Sequence, residues 1–207
     1  MSQLFNINLD NPQARLITHT ADILRAGGVI AYPTDSGYAL GCMLGNIDSQ
    51  ARIRQIRGVD DKHLFTLICR NLSELGNYAI VSNSQFRLLK ANTPGAYTFI
   101  LQATREVPRK LQHPKRNTIG IRVPQHNVVQ AILEAVDAPI LSMSLNLFEE
   151  VAISEAWEIR DKLEHHIDLV IDTGQSIADV TTVIDLTGDS PILIRAGQGD
   201  LAPFGLS

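Results

Sequence analysis

Hydroxyl, amide and guanidinium side chains follow or interrupt the apolar runs of this sequence at three places. These are residues 34–38, Arg122, and the stretch that holds Ser142, Ser144 and Asn146. The last three occupy alternate positions, so an extended backbone would place them on one face of a strand. Strand ends of layered α/β folds commonly build ligand sites, and guanidinium groups suit phosphates and carboxylates. We therefore expect these three clusters to converge on an anionic ligand.

The stretch 28–41, GVIAYPTDSGYALG, carries the first cluster and has two interpretations. Residues 29–32 are apolar or β-branched and predict a short buried strand that ends at Pro33. The hydroxyls, the carboxylate and the glycines that follow could line a ligand-binding lip. The same residue types also mark ordinary hairpin turns, and the sequence leaves both interpretations open.

Two arginines, Arg122 and Arg195, lie within apolar segments that predict strands. A buried guanidinium is costly unless it has an anionic partner. A phosphate or carboxylate ligand would be such a partner, through bidentate hydrogen bonds. Internal pairing with Asp35, Asp172 or Asp185 would serve equally well, and both explanations stay open.

Cations also cluster outside the predicted strands. Arg54 and Arg57 are three residues apart near the end of a helix predicted over 49–56, so they share one helix face. Residues 105–116, which we call the basic segment, hold the densest group: Arg105, Arg109, Lys110, Lys115 and Arg116. Each group is either a solvated surface or an anion contact, and the sequence does not decide between them.

The composition excludes several classes of protein. The 207 residues are 44% hydrophobic and 19% charged, with a net charge of −4, which excludes a wholly basic nucleic-acid-binding surface. Cys42 and Cys69 lack paired spacing and are predicted to be small core residues. The sequence has no basic leader and no uncharged run of about 18 residues. It also has no standard phosphate-loop, nucleophile-elbow or metal-binding motif. We predict a cytoplasmic protein with no membrane contact and no protein-held metal.

Short apolar runs bounded by turn residues alternate with segments of helical spacing along the chain. They predict about seven strands and five or six helices, and therefore a three-layer α/β fold (α+β in some schemes). Trp157 is predicted to pack inside. No linker or repeat divides the sequence, so residues 1–207 are expected to form a single domain.

Six motifs in order suggest a family. They are GGVIAYPTDSGYALG, TPGAYTFIL, IGIRVP, SMSLN, TTVIDL and ILIRAGQG. This ordered set resembles the YrdC-like family, and within it the YciO branch, over about residues 14–199. The resemblance implies a twisted mixed sheet of about seven strands flanked by helices, with a deep, positively lined concavity.

The resemblance also implies an activity. Family members condense L-threonine, bicarbonate and ATP into threonylcarbamoyl-AMP and pyrophosphate, which serves tRNA modification, and Mg²⁺ is expected with the nucleotide. Some members are described as binding double-stranded RNA or tRNA. A monomer or weak dimer is expected.

By position, the resemblance implies roles for single residues. The substrate-binding residues would be Thr34, Tyr38, Arg122, Ser142 and Thr182. The nucleotide-binding residues would be Arg57, Thr118, Ser144, Asn146 and Arg195. Of these, the catalytic group would comprise Arg57, Ser144 and Asn146.

One motif departs from the family pattern. The family's Lys-x-Arg pair aligns with Arg57, Gly58 and Val59, so one cation is an arginine and the other is replaced by an apolar residue. Arginine and lysine are not interchangeable at a phosphate, and a lost cation weakens stabilisation of a charged transition state. We therefore expect a synthase-like protein with weak or altered activity. The alternative is an RNA-binding protein that uses the basic concavity without catalysis.

Overall fold

The computed structural model describes residues 1–145, 155–174 and 179–206, which form two compact units. The first unit contains the described residues of Met1–His63 and His126–Ala178, and the second those of Leu64–Gln125 and Asp179–Ser207. The prediction of a mixed α/β fold is confirmed, but the described residues form eleven strands and not about seven. The expected single domain over residues 1–207 stays a prediction.

The strands are short, with two to seven mostly apolar residues each. In chain order they are β1 (Gln3–Asn6), β2 (Ile30–Thr34), β3 (Gly37–Met43), β4 (Thr66–Ile68), β5 (Ala79–Ile80), β6 (Tyr97–Ala103), β7 (Thr118–Arg122), β8 (Ile140–Ser144), β9 (Leu169–Asp172), β10 (Thr182–Asp185) and β11 (Ile192–Arg195).

The α-helices among the described residues lie between these strands. They are α1 (Ala14–Arg25), α2 (Ile47–Arg57), α3 (Leu72–Tyr78), α4 (Asn83–Asn92), α5 (Asn127–Val136) and α6 (Ala156–Leu163). The longest has 12 residues. None of these described helices combines the length and the apolar character needed to cross a membrane.

In the first unit the strands pair in the order β1, β9, β2, β3, β8. Strand β9 is parallel to β1 and β2, whereas β3 is antiparallel to β2 and β8. Helix α1 buries Ile17, Ala21 and Leu24 at the spacing of one helix face. Helix α5 packs against α1, and the Arg25 guanidinium donates to the Ala135 carbonyl.

Strands β2 and β3 form a hairpin, which confirms the turn interpretation of residues 28–41. The prediction that the strand ends at Pro33 is wrong, because β2 continues to Thr34 and Pro33 pairs with Tyr38. Strand β9 pairs with β2 only at Ile30 and Ala31, so the missing N–H of Pro33 falls outside that ladder. The chain can therefore keep a proline in this strand.

Helix α2 begins at Ile47, two residues before the start that its sequence pattern suggested. Its N-terminal cap is Asn46, whose side chain accepts from the Ser49 N–H at 3.0 Å. An Asn oxygen at this position satisfies one of the unpaired amides of the first turn. The helix ends at Gly58 with φ of 61°, a left-handed conformation that glycine adopts readily, so Arg57 is its last residue.

In the second unit the strands pair in the order β4, β7, β6, β10, β11, and β5 also pairs with β6. Strand β7 is parallel to β4 and antiparallel to β6, and β10 is parallel to β6. Tyr97 and Phe99 pack against Phe204, with ring centroids 5.4 and 5.9 Å from it. These contacts bind the chain's final turn to the sheet.

Both cysteines are fully buried and free, which confirms that they are core residues. Cys42 lies in β3 and Cys69 directly follows β4. Burial raises the pKa of the Cys42 thiol to about 12, so this thiol stays protonated at neutral pH.

A substitution at Gly41 tests the packing of the hairpin. A Cβ at Gly41 would lie 2.7 Å from Cε1 of Tyr32, a fully buried ring, and 3.2 Å from Cγ2 of Ile140. We expect Gly41→Ala to lower the free energy of unfolding by about 1–3 kcal/mol through overpacking. Urea denaturation measures this change.

The control is Gly76→Ala in α3, where an added Cβ meets nothing within 4 Å. This variant should be neutral or more stable by about 0.5–1 kcal/mol, because alanine is the better helix former. Equal effects at Gly41 and Gly76 would contradict the packing described for Tyr32.

Candidate functional site

The Thr34 hydroxyl closes the turn between β2 and β3. It donates to the Gly37 carbonyl at 2.7 Å and accepts from the Ser36 N–H at 3.1 Å. Thr34 is 5% exposed, and Gly37 takes a φ of 100° that suits glycine. The hydroxyl therefore holds the hairpin, and its predicted contact with a substrate stays a prediction.

Tyr38 connects three strands of the first unit. Its phenol donates to the Ile171 carbonyl at 3.0 Å, and its own carbonyl accepts from the Leu145 N–H at 2.9 Å. Burial, followed by the negative charges of Asp172 and Glu155, raises the pKa of the phenol, which stays neutral. Tyr38 is thus a fixed hydrogen-bond donor at the start of β3.

Ser142 and Ser144 lie two residues apart in β8, which places both on one side of the strand. Ser142 is 5% exposed, and its Oγ accepts from the Tyr32 phenol at 2.7 Å. Ser144 is exposed and pairs with Ala39, next to Tyr38. Asn146, the third member of this predicted set, lies outside the described residues.

Arg57 reaches β8 from the end of α2. Its Nη1 donates to the Ser144 carbonyl, and partial burial lowers the pKa of the guanidinium, which remains charged. The pKa of nearby His63 is lowered by burial first and by the positive charge of Arg57 second. The first unit therefore brings a cation to the same strand end as Tyr38 and Ser144.

Arg122 is the last residue of β7 and is only 6% exposed. Its carbonyl accepts from the Cys69 N–H at 2.9 Å, which fixes the backbone at this strand end. Asp185, one of the acidic partners that the sequence suggested for the strand arginines, pairs with Arg116 at 3.0 Å. The second unit thus holds a buried guanidinium at the end of a strand.

Arg195 is not the buried strand arginine that the sequence suggested. It is an exposed residue of β11 and not a buried charge, because β11 lies at the end of the strand order. Its Nε and Nη2 donate to the Thr181 carbonyl at 3.1 and 3.0 Å, and Nη2 also lies 3.0 Å from Thr181 Oγ1. Neutral oxygens therefore take the place of the acidic partner that the sequence suggested.

Thr98 is a polar residue that the sequence analysis missed. Its Oγ1 lies 3.1 Å from Thr181 Oγ1, so a chain of hydrogen bonds runs from Arg195 through Thr181 to Thr98. A signal existed, since Thr98 places a hydroxyl between two aromatic residues of a strand. Alternation along the strand separates this side chain from both neighbours.

Thr182 and Thr118 lie toward opposite ends of the strands in the second unit's sheet. Thr182 pairs with Tyr97 at the start of β6, whereas Thr118 pairs with Gln102 near its end. Arg122 lies on the Thr182 side, about 13 Å along β7 from Thr118 at about 3.3 Å per residue. The structure therefore places Arg122 and Thr182 toward the same end of the strands, and it places Thr118 toward the other end.

The Thr182 hydroxyl is already engaged. Thr182 is 0% exposed, and its Oγ1 donates to the Gly199 carbonyl at 2.8 Å and accepts from the Gly197 N–H at 3.1 Å. Thr118 is 2% exposed. The ligand roles predicted for these two threonines stay predictions.

The elements define a mixed α/β protein whose polar side chains gather at strand ends. The Sua5/YciO/YrdC family model, described as telomere recombination, matches residues 22–197. YciO of Escherichia coli strain K12 is 54% identical over 205 residues, which cover 99% of this chain and 100% of YciO. The crystal structure of E. coli YciO matches with a TM-score of 0.94 over 99% of this chain and 100% of that chain. The chain therefore belongs to the Sua5/YciO/YrdC family, as its motifs predicted.

More distant relatives carry a functional name. The threonylcarbamoyl-AMP synthase of Halorhodospira halophila is 30% identical over 156 residues, which cover 75% of this chain and 81% of the synthase. The crystal structure of Pyrococcus abyssi Sua5 with L-threonine has a TM-score of 0.86 at 25% identity, over 95% of this chain and 58% of that chain. The family thus includes threonylcarbamoyl-AMP synthases at lower identity than YciO.

The hydrogen bond between Tyr32 and Ser142 can be measured directly. Removing the phenol hydroxyl by Tyr32→Phe should lower the free energy of unfolding by about 1 kcal/mol, because the buried Ser142 hydroxyl loses its donor. In a double-mutant cycle with Ser142→Ala, we expect a coupling energy of about 0.5–1.5 kcal/mol. Urea denaturation of the four proteins provides the cycle.

Tyr78→Phe is the matched control, since this tyrosine is only partly buried. Its cycle with Ser142→Ala should show no coupling. A coupling energy near zero for the Tyr32 pair would mean that this bond does not support β8.

Proposed function

We propose that this chain forms threonylcarbamoyl-AMP and pyrophosphate from L-threonine, bicarbonate and ATP, at a weak or altered rate, for the modification of tRNA. Family membership supports the proposal, because a synthase of this name is 30% identical over 75% of the chain. The complex of P. abyssi Sua5 with L-threonine supports threonine as the substrate.

The observation that carries the proposal is the buried guanidinium of Arg122. A charged side chain that is 6% exposed at a strand end suits recognition of a small carboxylate. A planar guanidinium can bind a carboxylate through two parallel hydrogen bonds. In the proposal Arg122 binds the carboxylate of threonine, and Arg195 lies on the phosphate side.

The reaction mainly requires positioning and neutralisation of charge. The threonine amine attacks the carbon of bicarbonate and water leaves, which forms a carbamate. A carbamate oxygen then attacks the α-phosphorus of ATP, and the bond from this phosphorus to the pyrophosphate oxygen breaks. Oriented hydroxyls and fixed cations can promote both steps without a covalent nucleophile.

The residues proposed for the nucleotide carry hydroxyl, amide and guanidinium groups. This donor set fits phosphate oxygens better than it fits a divalent ion, which prefers carboxylates. Mg²⁺ is therefore proposed to arrive on the ATP phosphates, where it would neutralise part of their charge.

The assay is release of pyrophosphate from ATP that depends on both threonine and bicarbonate. Losing the partner of the threonine carboxylate should cost about 3 kcal/mol, so Arg122→Ala should lower kcat/KM for threonine about 100-fold. Arg122→Lys keeps the charge but lacks the planar guanidinium, so its kcat/KM for threonine should lie between those of the wild type and of Arg122→Ala.

Arg87→Ala, an exposed arginine of α4, is the matched control and should keep wild-type activity. Circular dichroism checks that each variant is folded. No threonine-dependent pyrophosphate above the Arg122→Ala background would exclude the synthase.

RNA binding without catalysis is a second candidate, and the basic segment favours it. Val107 and Leu111 are each 2% exposed and hold the segment to the second unit. His113 Nδ1 accepts from the backbone N–H groups of Lys115 and Arg116 at 3.3 and 3.2 Å. The exposed cations thus extend from an ordered backbone: Arg105, Arg109, Lys110, Lys115 and Arg116.

Salt dependence of duplex RNA binding tests this candidate. Phosphate contacts release counterions, so affinity should fall steeply as salt rises. Arg109→Ala with Lys110→Ala should reduce the log–log salt slope by about 2, one unit for each lost phosphate contact. Arg15→Ala, an exposed arginine of α1, should leave the slope unchanged. A flat salt response of the wild-type protein would rule out this candidate.

A further inference from the structure

The peptide group between Ser144 and Leu145 is held from two directions. Its carbonyl, on Ser144, accepts from Nη1 of Arg57. Its N–H, on Leu145, donates to the Tyr38 carbonyl at 2.9 Å. Because carbonyl and N–H belong to one planar unit, these two partners together fix its orientation. We call this arrangement the peptide clamp.

Both partners of the peptide clamp are themselves fixed. Tyr38 pairs with Pro33 across the hairpin, and its phenol binds the Ile171 carbonyl at 3.0 Å. Arg57 is the last residue of α2, which Gly58 ends in a left-handed conformation. Nε of Arg57 is buried and has no hydrogen-bond partner among the described residues. The guanidinium is therefore partly removed from water at its Nε.

The clamped peptide lies where β8 ends. The pair of Ser144 with Ala39 is the last of the ladder between β8 and β3. Ser144 is exposed, whereas Leu145 is 2% exposed. The orientation of this peptide fixes the backbone ψ of Ser144, and with it the backbone from which the Ser144 side chain extends.

We propose that Arg57 is a positioning residue, which fixes the peptide after Ser144 and thereby the strand end that presents the Ser144 hydroxyl. The role in catalysis rests on the proposed function, but the clamp itself does not. A cation that served only as a phosphate contact would need no backbone acceptor. A guanidinium aimed at a carbonyl instead orders the chain that carries the hydroxyl.

Hydrogen exchange of the Leu145 amide, followed by NMR in the protein without ligands, tests the clamp. In Arg57→Ala we expect this amide to exchange at least about tenfold faster than in the wild type, because the peptide plane loses one of its two partners. The Met143 amide, two residues earlier in β8, should be unchanged. Gln55→Ala, which shortens an exposed side chain of the same helix, should leave both amides unchanged.

Two outcomes would overturn the inference. Unchanged exchange at Leu145 in folded Arg57→Ala would show that the arginine does not hold the peptide. Equal acceleration at Met143 and Leu145 would assign Arg57 to general stability and not to local positioning.

Kinetics separate this inference from the proposed function. If pyrophosphate release is present, Arg57→Ala should lower kcat about tenfold and change KM for ATP less than twofold. A raised KM for ATP with unchanged kcat would make Arg57 a simple phosphate contact and overturn the positioning role. Absence of all synthase activity, together with faster exchange at Leu145, would remove the proposed function and leave the clamp standing.

Discussion

The register of the β2–β3 hairpin is the constraint on which the first unit depends. The Thr34 hydroxyl bridges Ser36 and Gly37, and the turn places Pro33 opposite Tyr38. Side chains alternate along a strand, so a slip by one residue would turn each of them to the other face. The Tyr32 phenol would then lose Ser142, and the Tyr38 phenol would lose Ile171. The Thr34 hydroxyl and the β2–β3 ladder thus together fix where several larger groups point.

Many of the predicted binding hydroxyls are already bonded within the protein. The hydroxyls of Thr34, Ser142 and Thr182 each contact another protein group. A hydroxyl has one proton and two lone pairs, so one such contact does not exhaust it. The internal contact instead fixes the direction of the proton or lone pairs that are not yet used. Groups oriented in this way need no reorganisation when charge develops, which is the basis of electrostatic catalysis.

The sequence predicted most of the strands and helices but fewer of the side-chain contacts between them. The apolar run at residues 29–32 marked β2 (Ile30–Thr34) within two residues, because buried strands must be apolar. It undercounted strands, since a run such as β5, with only two residues, has no periodicity to detect. Trp157 was expected to pack inside but is 63% exposed, because size and hydrophobicity do not reveal which helix face meets the sheet.

Among the candidate site residues, sequence could place side chains on strands but could not supply the register between strands. Thr118 and Arg122 lie at opposite ends of β7, yet only the pairing of β6 with β7 and β10 shows that Arg122, and not Thr118, lies on the Thr182 side. The exposure of Arg195 likewise depends on β11 being last in the strand order, which is a property of the whole sheet. The partner of Arg57 is the backbone of Ser144, 87 residues away. Backbone acceptors are present at every position, so no sequence pattern marks the one that is used.

The charge near Arg57 gives a physical reason for weak or altered activity in the proposed reaction. The Lys-x-Arg pair of the family would supply two cations, whereas Arg57 and Val59 supply one. The neighbouring His63 does not replace the second, because burial and the charge of Arg57 lower its pKa from 6.5, which leaves the imidazole neutral at pH 7. Arg57 has five N–H donors and uses Nη1 for the Ser144 carbonyl, so the remaining donors could still meet a phosphate. Clamp and phosphate contact are therefore compatible, and the weak or altered activity follows from the cation missing at Val59 and not from the clamp.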